Sequence, residues 1–198
     1  MTTLPIRGGE ARLRERLCRT GVPSPFGSLS IVWVQAPEGP RVRRILLPGE
    51  GVPAKEALKG AYAGTDLPSN SAIRTLAEQI QSCLKGEAVD FQMDLIDLRG
   101  CSGFQRRVLL AEHEIPRGWV STYGRIARSL GVPNAARAVG TALARNPFPI
   151  IIPCHRTIRS NGDLGGFGGG LKMKRALLEL EGVQFSTMGR VLTDRFYY

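Results

Sequence analysis

Asn146–Gly182 reads NPFPIIIPCHRTIRSNGDLGGFGGGLKMKRALLELEG, and its punctuation decides how the second half of the chain is built. Pro147, Pro149 and Pro153 bracket a short apolar strand, Ile150–Ile152, and deliver Cys154 and His155 at its end. Proline fixes φ and removes a backbone donor, so this stretch is held stiffly. Residues 162–170 then contain six glycines. A loop with so few side chains can approach a flat ligand closely and still fold over it. The apolar spacing that follows predicts a helix over Leu171–Leu180, ending at Glu181-Gly182.

Cys154 beside His155 admits several chemistries. A single cysteine is most often a small buried hydrophobe, and this is the reading for Cys18, Cys83 and Cys101. A zinc centre needs more Cys and His at regular spacing than a chain with two histidines offers. In a Cys-His hydrolase the histidine lies far off in sequence and faces the thiol; neighbours on a strand point opposite ways, so a direct pair is awkward unless a water bridges them. The glycine run lacks the Gly-Lys-Ser/Thr of a phosphate-binding loop, which argues against a nucleoside triphosphate.

Working outward, Gly103–Glu114 reads as a helix ended by Pro116 and Gly118. Ser121–Leu130 follows as a second, with Ser121 or Thr122 as its cap. Gly131-Val132-Pro133 breaks it, and Asn134 caps a third helix, Ala135–Ala144. Two short helices joined across a few residues including glycine have the form of a helix-turn-helix, here over 121–145. On the third helix Ala135, Ala138, Val139, Ala142 and Leu143 form the core side. Arg137, Gly140, Thr141 and Ala144 form the other, where small residues would let the backbone settle into a nucleic-acid groove with Arg137 projecting furthest. An ordinary solvated face explains the same pattern.

The first half is plainer. A basic leader with a short helix, Glu10–Cys18, precedes a hairpin of Ser30–Val34 and Val42–Leu47. Pro48–Asn70 reads as irregular. Ser71–Leu84 carries one apolar helical face and Ser71 as its cap, and Val89–Met93 alternates as a strand. These elements make a small α/β unit over 1–98, with a linker near Asp97–Ser102 and a second domain over 99–198.

The 198 residues carry 27 Lys and Arg against 17 Asp and Glu, a net +10. Residues 99–198 hold 15 of the basic and only 6 of the acidic groups. That concentration points to phosphates as the partner of the second half. No apolar run is long enough to span a bilayer, and the N-terminus has no apolar core of a secretory signal. Scattered cysteines without a C-x-x-C pair fit reduced thiols in the cytosol.

The strings PCHR (Pro153–Arg156), ARAVG (Ala136–Gly140), RNP (Arg145–Pro147) and LEG (Leu180–Gly182) give the chain a likeness over roughly residues 100–183. It resembles the O6-alkylguanine-DNA alkyltransferases. The resemblance implies an RNase H-like N-terminal α/β domain and a mainly helical C-terminal domain with a winged helix-turn-helix. It implies a single-turnover repair protein, cytoplasmic, or nuclear in a eukaryote, monomeric and without metal or other cofactor. Its partner would be double-stranded DNA carrying O6-alkylguanine, with O4-alkylthymine as a further substrate.

Carried over residue by residue, Cys154 is the nucleophile, His155 its base through a water, and Glu181 the group that orients the imidazole. Asn146 ties the helix-turn-helix to the active-site strand, and Tyr123 donates to the flipped guanine. Arg137 fills the hole in the base stack, among DNA contacts from Tyr123, Ala136, Gly140, Thr141 and Ser160. Pro149, Gly165, Phe167 and Gly168 wall the alkyl pocket. Phe167 and Gly168 stand where relatives often have tyrosine and serine, which puts substrate range in question more than the reaction. The rival readings are a non-enzymatic lesion-binding protein, against which the presence of Cys154 argues, and a helix-turn-helix regulator. Another is an alkyltransferase whose natural adduct is bulkier than methyl.

Overall fold

A computed structural model describes residues 17–48 and 70–198. The architecture is mixed α/β. Strands β1 (Leu17–Val22), β2 (Leu29–Ala36) and β3 (Gly39–Leu46) form an antiparallel sheet in the order β1-β2-β3. Central β2 is buried at every position from Leu29 to Val34, so its sequence reads as a continuous apolar run rather than an alternation. The β2–β3 hairpin closes between Ala36 and Gly39, as the sequence predicts. Helix α1 (Ser71–Leu84) lays Ile73, Leu76, Ile80 and Leu84 into the core, the i, i+3, i+7 spacing of an amphipathic helix.

Several local expectations are corrected. Leu17 and Cys18, placed in a leader helix, open β1; the rest of that proposed helix lies outside the described residues, as does most of the irregular stretch 48–70. Asn70, not Ser71, caps α1, its side chain accepting from Ala72 N–H at 2.9 Å. Val89–Met93 is not a strand. Its alternation is real, with Phe91 buried and Asp90 and Gln92 exposed, but the segment packs on the core without a strand partner among the described residues.

The chain then runs beside β3. Val42 N–H donates to Leu95 O at 2.7 Å, and Asp97 N–H to Val42 O at 3.0 Å. Asp97 is buried and receives Arg43 and Arg99, with the Arg99 hydrogen bond first in holding its carboxyl at about 2.

Helix α2 (Gly103–His113), strand β4 (Ser121–Thr122), α3 (Tyr123–Ser129) and α4 (Ala136–Ala144) follow. Thr122 caps α3 by accepting from Arg125 N–H. Asn134 does not cap α4: the helix starts one residue later than expected, at Ala136, with Ala135 at the N-cap position and no side-chain cap. The preceding turn, in which Ala135 N–H bonds Val132 O, takes the cap's place. Val139, Ala142 and Leu143 face the core as expected, but Ala138 is exposed.

Ile150–Ile152 is a tight turn rather than a strand. Ile152 N–H donates to Phe148 O at 2.9 Å, and Ile150 sits at φ 77°. A β-branched residue there is strained, at roughly 1–3 kcal/mol, and must be held by its surroundings. Ile150, Ile151 and Ile152 are all buried, and Asn146 brackets the turn by accepting from Phe148 N–H and donating to Ile152 O, each at 2.9 Å. Beyond it come β5 (Thr157–Ile158), parallel to β4, then α5 (Gly170–Leu180) and a terminal hairpin of β6 (Gln184–Phe185) and β7 (Val191–Leu192).

One apolar core runs from β1 through α4 to the Phe148–Ile152 turn. Ile45 N–H in β3 donates to Pro147 O at 2.8 Å, so the first sheet grips the turn that carries Cys154. It grips the glycine loop as well. A Cβ on Gly169 would lie 3.0 Å from Phe167 Cε1 and 3.2 Å from Leu47 Cδ1, and would overlap the sulfur of buried Met173. Gly169→Ala is therefore expected to cost about 2 kcal/mol by overpacking and to slow any reaction that uses Phe167. Thermal melting and a rate measurement on the same variant check both effects.

Candidate active site

Cys154, His155 and Arg156 form one turn of 3-10 helix between the strained turn and β5. This explains how sequence neighbours serve one site: on a tight helical turn they diverge but do not point to opposite faces of a sheet. The Cys154 thiol sits where two cavities of about 410 Å³ meet. One is lined by Tyr123, Gly140, Leu143, Phe167 and Gly168 among others. The second is lined by Asn146, Pro149, Gly168 and the β3 residues Arg44–Leu47. Burial pushes the thiol up to about 11, while a hydrogen bond from Asn146 and the nearby Lys174 pull it down. At rest the sulfur is protonated and needs a base.

His155 is buried, and its Nε2 lies 2.9 Å from Glu181 Oε1. Burial alone would raise Glu181, but hydrogen bonds from His155 and Arg156 outweigh it and hold the carboxyl at about 2. An ionised carboxylate only accepts, so Nε2 carries the proton and Nδ1 holds the free lone pair. Nδ1 is buried with no hydrogen-bond partner among the described residues. Desolvation lowers the imidazole's pKa more than Glu181 raises it, so the ring is neutral and able to take a proton.

Arg156 forks onto Glu181, with Nε at 3.0 Å from Oε2 and Nη2 at 2.8 Å from Oε1, and its Nη1 donates to Ile115 O at 2.6 Å. It belongs to the cluster as much as the histidine does, yet the sequence reading used it only as part of a motif.

Tyr123, at the start of α3, is wedged between α4 and the glycine loop. A Cβ on Gly165, at φ 69°, would stand 2.7 Å from the Tyr123 hydroxyl, and one on Gly140 would touch its ring. Gly165 is thus required by conformation and by space together. Arg137 and Thr141 are exposed on α4, with the Thr141 hydroxyl bonded to Arg137 O at 3.1 Å, and Ala136 is half-buried. Ser160 is exposed on the turn after β5, away from both cavities. The structure therefore gathers Cys154, His155, Glu181, Asn146, Tyr123, Pro149, Phe167 and Gly168, and leaves Ser160 and Thr141 apart.

A third set was not anticipated. Glu112 of α2 and Lys174 of α5 are both fully buried. Thr157 Oγ1 donates to Glu112 Oε2 at 2.5 Å, and Lys174 Nζ donates to Thr157 O at 2.7 Å and Gly166 O at 3.2 Å. A signal was present: each is a charged residue in core-facing helical register, Glu112 four after Val108 and Lys174 four before Leu178.

The family model described as 6-O-methylguanine DNA methyltransferase, DNA binding domain, matches residues 103–183. A methylated-DNA–protein-cysteine methyltransferase from Methanothermobacter thermautotrophicus is 45% identical over 136 residues, covering 68% of this chain and 76% of the relative. A protein of the same name from Mycobacterium bovis is 48% identical over 114 residues, covering 58% and 68%. The crystal structure of Mycobacterium tuberculosis OGT in complex with DNA superposes with a TM-score of 0.66 at 37% identity, covering 83% of this chain and 92% of that one. With the paired helices, the cysteine turn and the glycine loop all inside the matched residues 103–183, the chain belongs to the methylated-DNA–protein-cysteine methyltransferase family.

Proposed function

We propose that this protein repairs duplex DNA by moving the alkyl group of O6-alkylguanine onto Cys154 in a single turnover. The observation that carries the reading is a thiol at the mouth of two cavities, beside a buried imidazole whose second nitrogen is fixed on an ionised carboxylate. His155 Nδ1 takes the thiol proton through a water, and Glu181 stabilises the imidazolium. The thiolate attacks the alkyl carbon, the carbon–O6 bond breaks, and the Tyr123 hydroxyl donates to the departing ring so that guanine leaves neutral. A thioether on Cys154 remains. It does not hydrolyse readily, so the protein is consumed.

DNA is the partner, met by the basic second half. Helices α3 and α4 act as the helix-turn-helix of a winged DNA-binding domain. The exposed face of α4 lies along the groove with Gly140 and Thr141, and Arg137 occupies the gap left by the extruded base. The guanine enters between Tyr123 and Phe167, while Pro149, Gly165 and Gly168 wall the alkyl group. Ser160, exposed beyond both cavities, meets a phosphate. The first sheet with α1 is the RNase H-like domain of residues 1–98, and the protein works as a cytoplasmic monomer. Cys154 with its base in place disfavours a lesion-binding protein without chemistry. A recognition face of small residues disfavours a regulator that reads base edges.

Mass spectrometry before and after incubation with O6-methylguanine duplex tests this. The expected product has one methyl in place of one hydrogen per protein, on the tryptic peptide Asn146–Arg156. Unmodified protein with methanol in solution, or a methyl on another peptide, would overturn it.

A further inference from the structure

Tyr123 has almost no freedom in its slot: a Cβ on Gly165 would come within 2.7 Å of its hydroxyl, and one on Gly140 within 3.7 Å of its ring. A side chain fitted this closely has to be delivered accurately by the backbone that precedes it. That backbone is Val120 and the two residues of β4. On one edge β4 pairs with β5, Ser121 opposite Thr157 and Thr122 opposite Ile158, and β5 starts directly after the Cys154 turn. Two paired residues are too few to hold such a pair by themselves; small sheets gain stability from a third strand. Arg195–Tyr198 takes the other edge, and it lies outside the residues 103–183 that the family model matches. Val120 N–H donates to Arg195 O at 3.0 Å, and Tyr197 N–H donates to Val120 O at 2.8 Å, so that Val120 and Phe196 form a parallel bridge. The hydroxyl of buried Ser121 donates to Tyr197 O at 2.9 Å. The same segment reaches two helices. The Arg125 guanidinium of α3 lies over the Phe196 ring, 4.7 Å from its centre, and the Tyr198 hydroxyl donates to Ala111 O in α2 at 2.9 Å.

We propose that Arg195–Tyr198 is a positioning strand of the alkyl-transfer site: by adding a third strand to β4–β5 it fixes the start of α3, and so sets the Tyr123 hydroxyl in the cavity that it lines together with Cys154. The inference rests on the role proposed for Tyr123 as proton donor to the departing guanine. A proton donor acts only from hydrogen-bond distance, so a displacement of about 1 Å is costly. The thiol does not share this dependence. Its turn is held from the other side, by the two Asn146 bonds and by Ile45 N–H of β3 on Pro147 O. Loss of the strand therefore separates the two halves of the reaction, leaving the nucleophile and displacing the acid.

The test uses the full-length protein with Tyr197→Pro, which deletes the N–H that Val120 O accepts. Transfer from O6-methylguanine duplex is expected to slow about tenfold, part of the hundredfold or so that a positioned proton donor is worth. Alkylation of Cys154 by iodoacetamide, read on the Asn146–Arg156 peptide, is expected to stay within about twofold of native, because iodide leaves without a proton. In a Tyr123→Phe background Tyr197→Pro is expected to slow transfer by less than about twofold, since the hydroxyl being positioned is gone. The fluorine resonance of 3-fluorotyrosine placed at position 123 is expected to shift. That resonance reports the surroundings of the ring whether or not the protein transfers alkyl groups, so failure here is distinct from failure of the repair reading. An unmoved resonance, transfer within about twofold of native, an equal loss in the Tyr123→Phe background, or a parallel loss of iodoacetamide labelling overturns the proposal. Should Tyr197→Pro not fold, Ser121→Ala, which removes the hydroxyl bond to Tyr197 O, goes through the same fluorine measurement, and an unmoved resonance overturns it.

Discussion

Cys154→Ala is expected to abolish alkyl transfer from O6-methylguanine duplex while leaving binding to that duplex within about twofold. The loss should be complete because no second nucleophile among the described residues is placed to substitute. Cys18 and Cys101 are buried in the core, and Cys83 lies on α1. The Lys174 amine is committed to two carbonyls, and His155 uses Nε2 to hold Glu181. Binding should survive because the interface proposed for DNA is carried by α3, α4 and the basic surface, none of which leans on the sulfur. The thiol's packing contribution is small: removing one buried sulfur costs roughly 1 kcal/mol, too little to unfold a domain of this size. Transfer is followed with labelled methyl and binding by fluorescence anisotropy. Residual transfer by the alanine variant would remove Cys154 from the mechanism, and parallel loss of binding would mean that the site had collapsed.

The sequence made the chemical centre legible because its parts are close together in the chain. Within 146–182 the prolines mark the turn, the glycines mark the loop, and helical spacing marks α5. The details that failed share a cause: they depend on partners far off in sequence. Ile150–Ile152 has the composition of a strand but finds no neighbour for one, and its backbone folds into a turn held by Asn146. Val89–Met93 alternates as a strand should and still pairs with no strand among the described residues. Leu17 and Cys18 belong to β1 because β2 is there to pair with them, a fact absent from their own spacing. The Glu112–Thr157–Lys174 cluster was invisible for the same reason. Its members are 45 and 17 residues apart and meet only after α2, β5 and α5 pack. A charge in core-facing register was the one trace they left.

Glu181→Gln is expected to slow transfer by about 100-fold, the worth of a positioned general base, and to destabilise the protein by about 3 kcal/mol, the cost of stripping one partner from a buried ion pair. Both effects come from one atom count. The native carboxylate accepts from His155 Nε2 and from two nitrogens of Arg156 with no protons of its own. A glutamine offers one acceptor oxygen and turns an NH₂ toward a second donor. Either Arg156 keeps its charge buried without a counter-ion, or His155 loses the contact that fixes its tautomer and stabilises its imidazolium. The pH dependence separates this from generic damage. Glu181 titrates at about 2 in the fold, below its ordinary 4.5, so its stabilising contribution is present above pH 4.5 and is lost as pH falls toward 2. Glu112 acts oppositely: raised to about 7, it binds its proton more tightly in the fold, so stability declines as pH rises from about 4.5 to 7. Native protein should therefore lose stability steeply on the acid side, with Asp97 contributing to that limb alongside Glu181, while between about pH 5 and 7 the decline from Glu112 is opposed by His155, whose pKa is lowered by burial and whose contribution grows as pH rises toward 6.5. Glu181→Gln should lose most of the acid limb, leaving the Asp97 portion. Melting curves from pH 2.5 to 7.5, with transfer rates at pH 7.5, decide it. An unaltered acid limb together with transfer within threefold of native would show that the imidazole does not depend on this carboxylate.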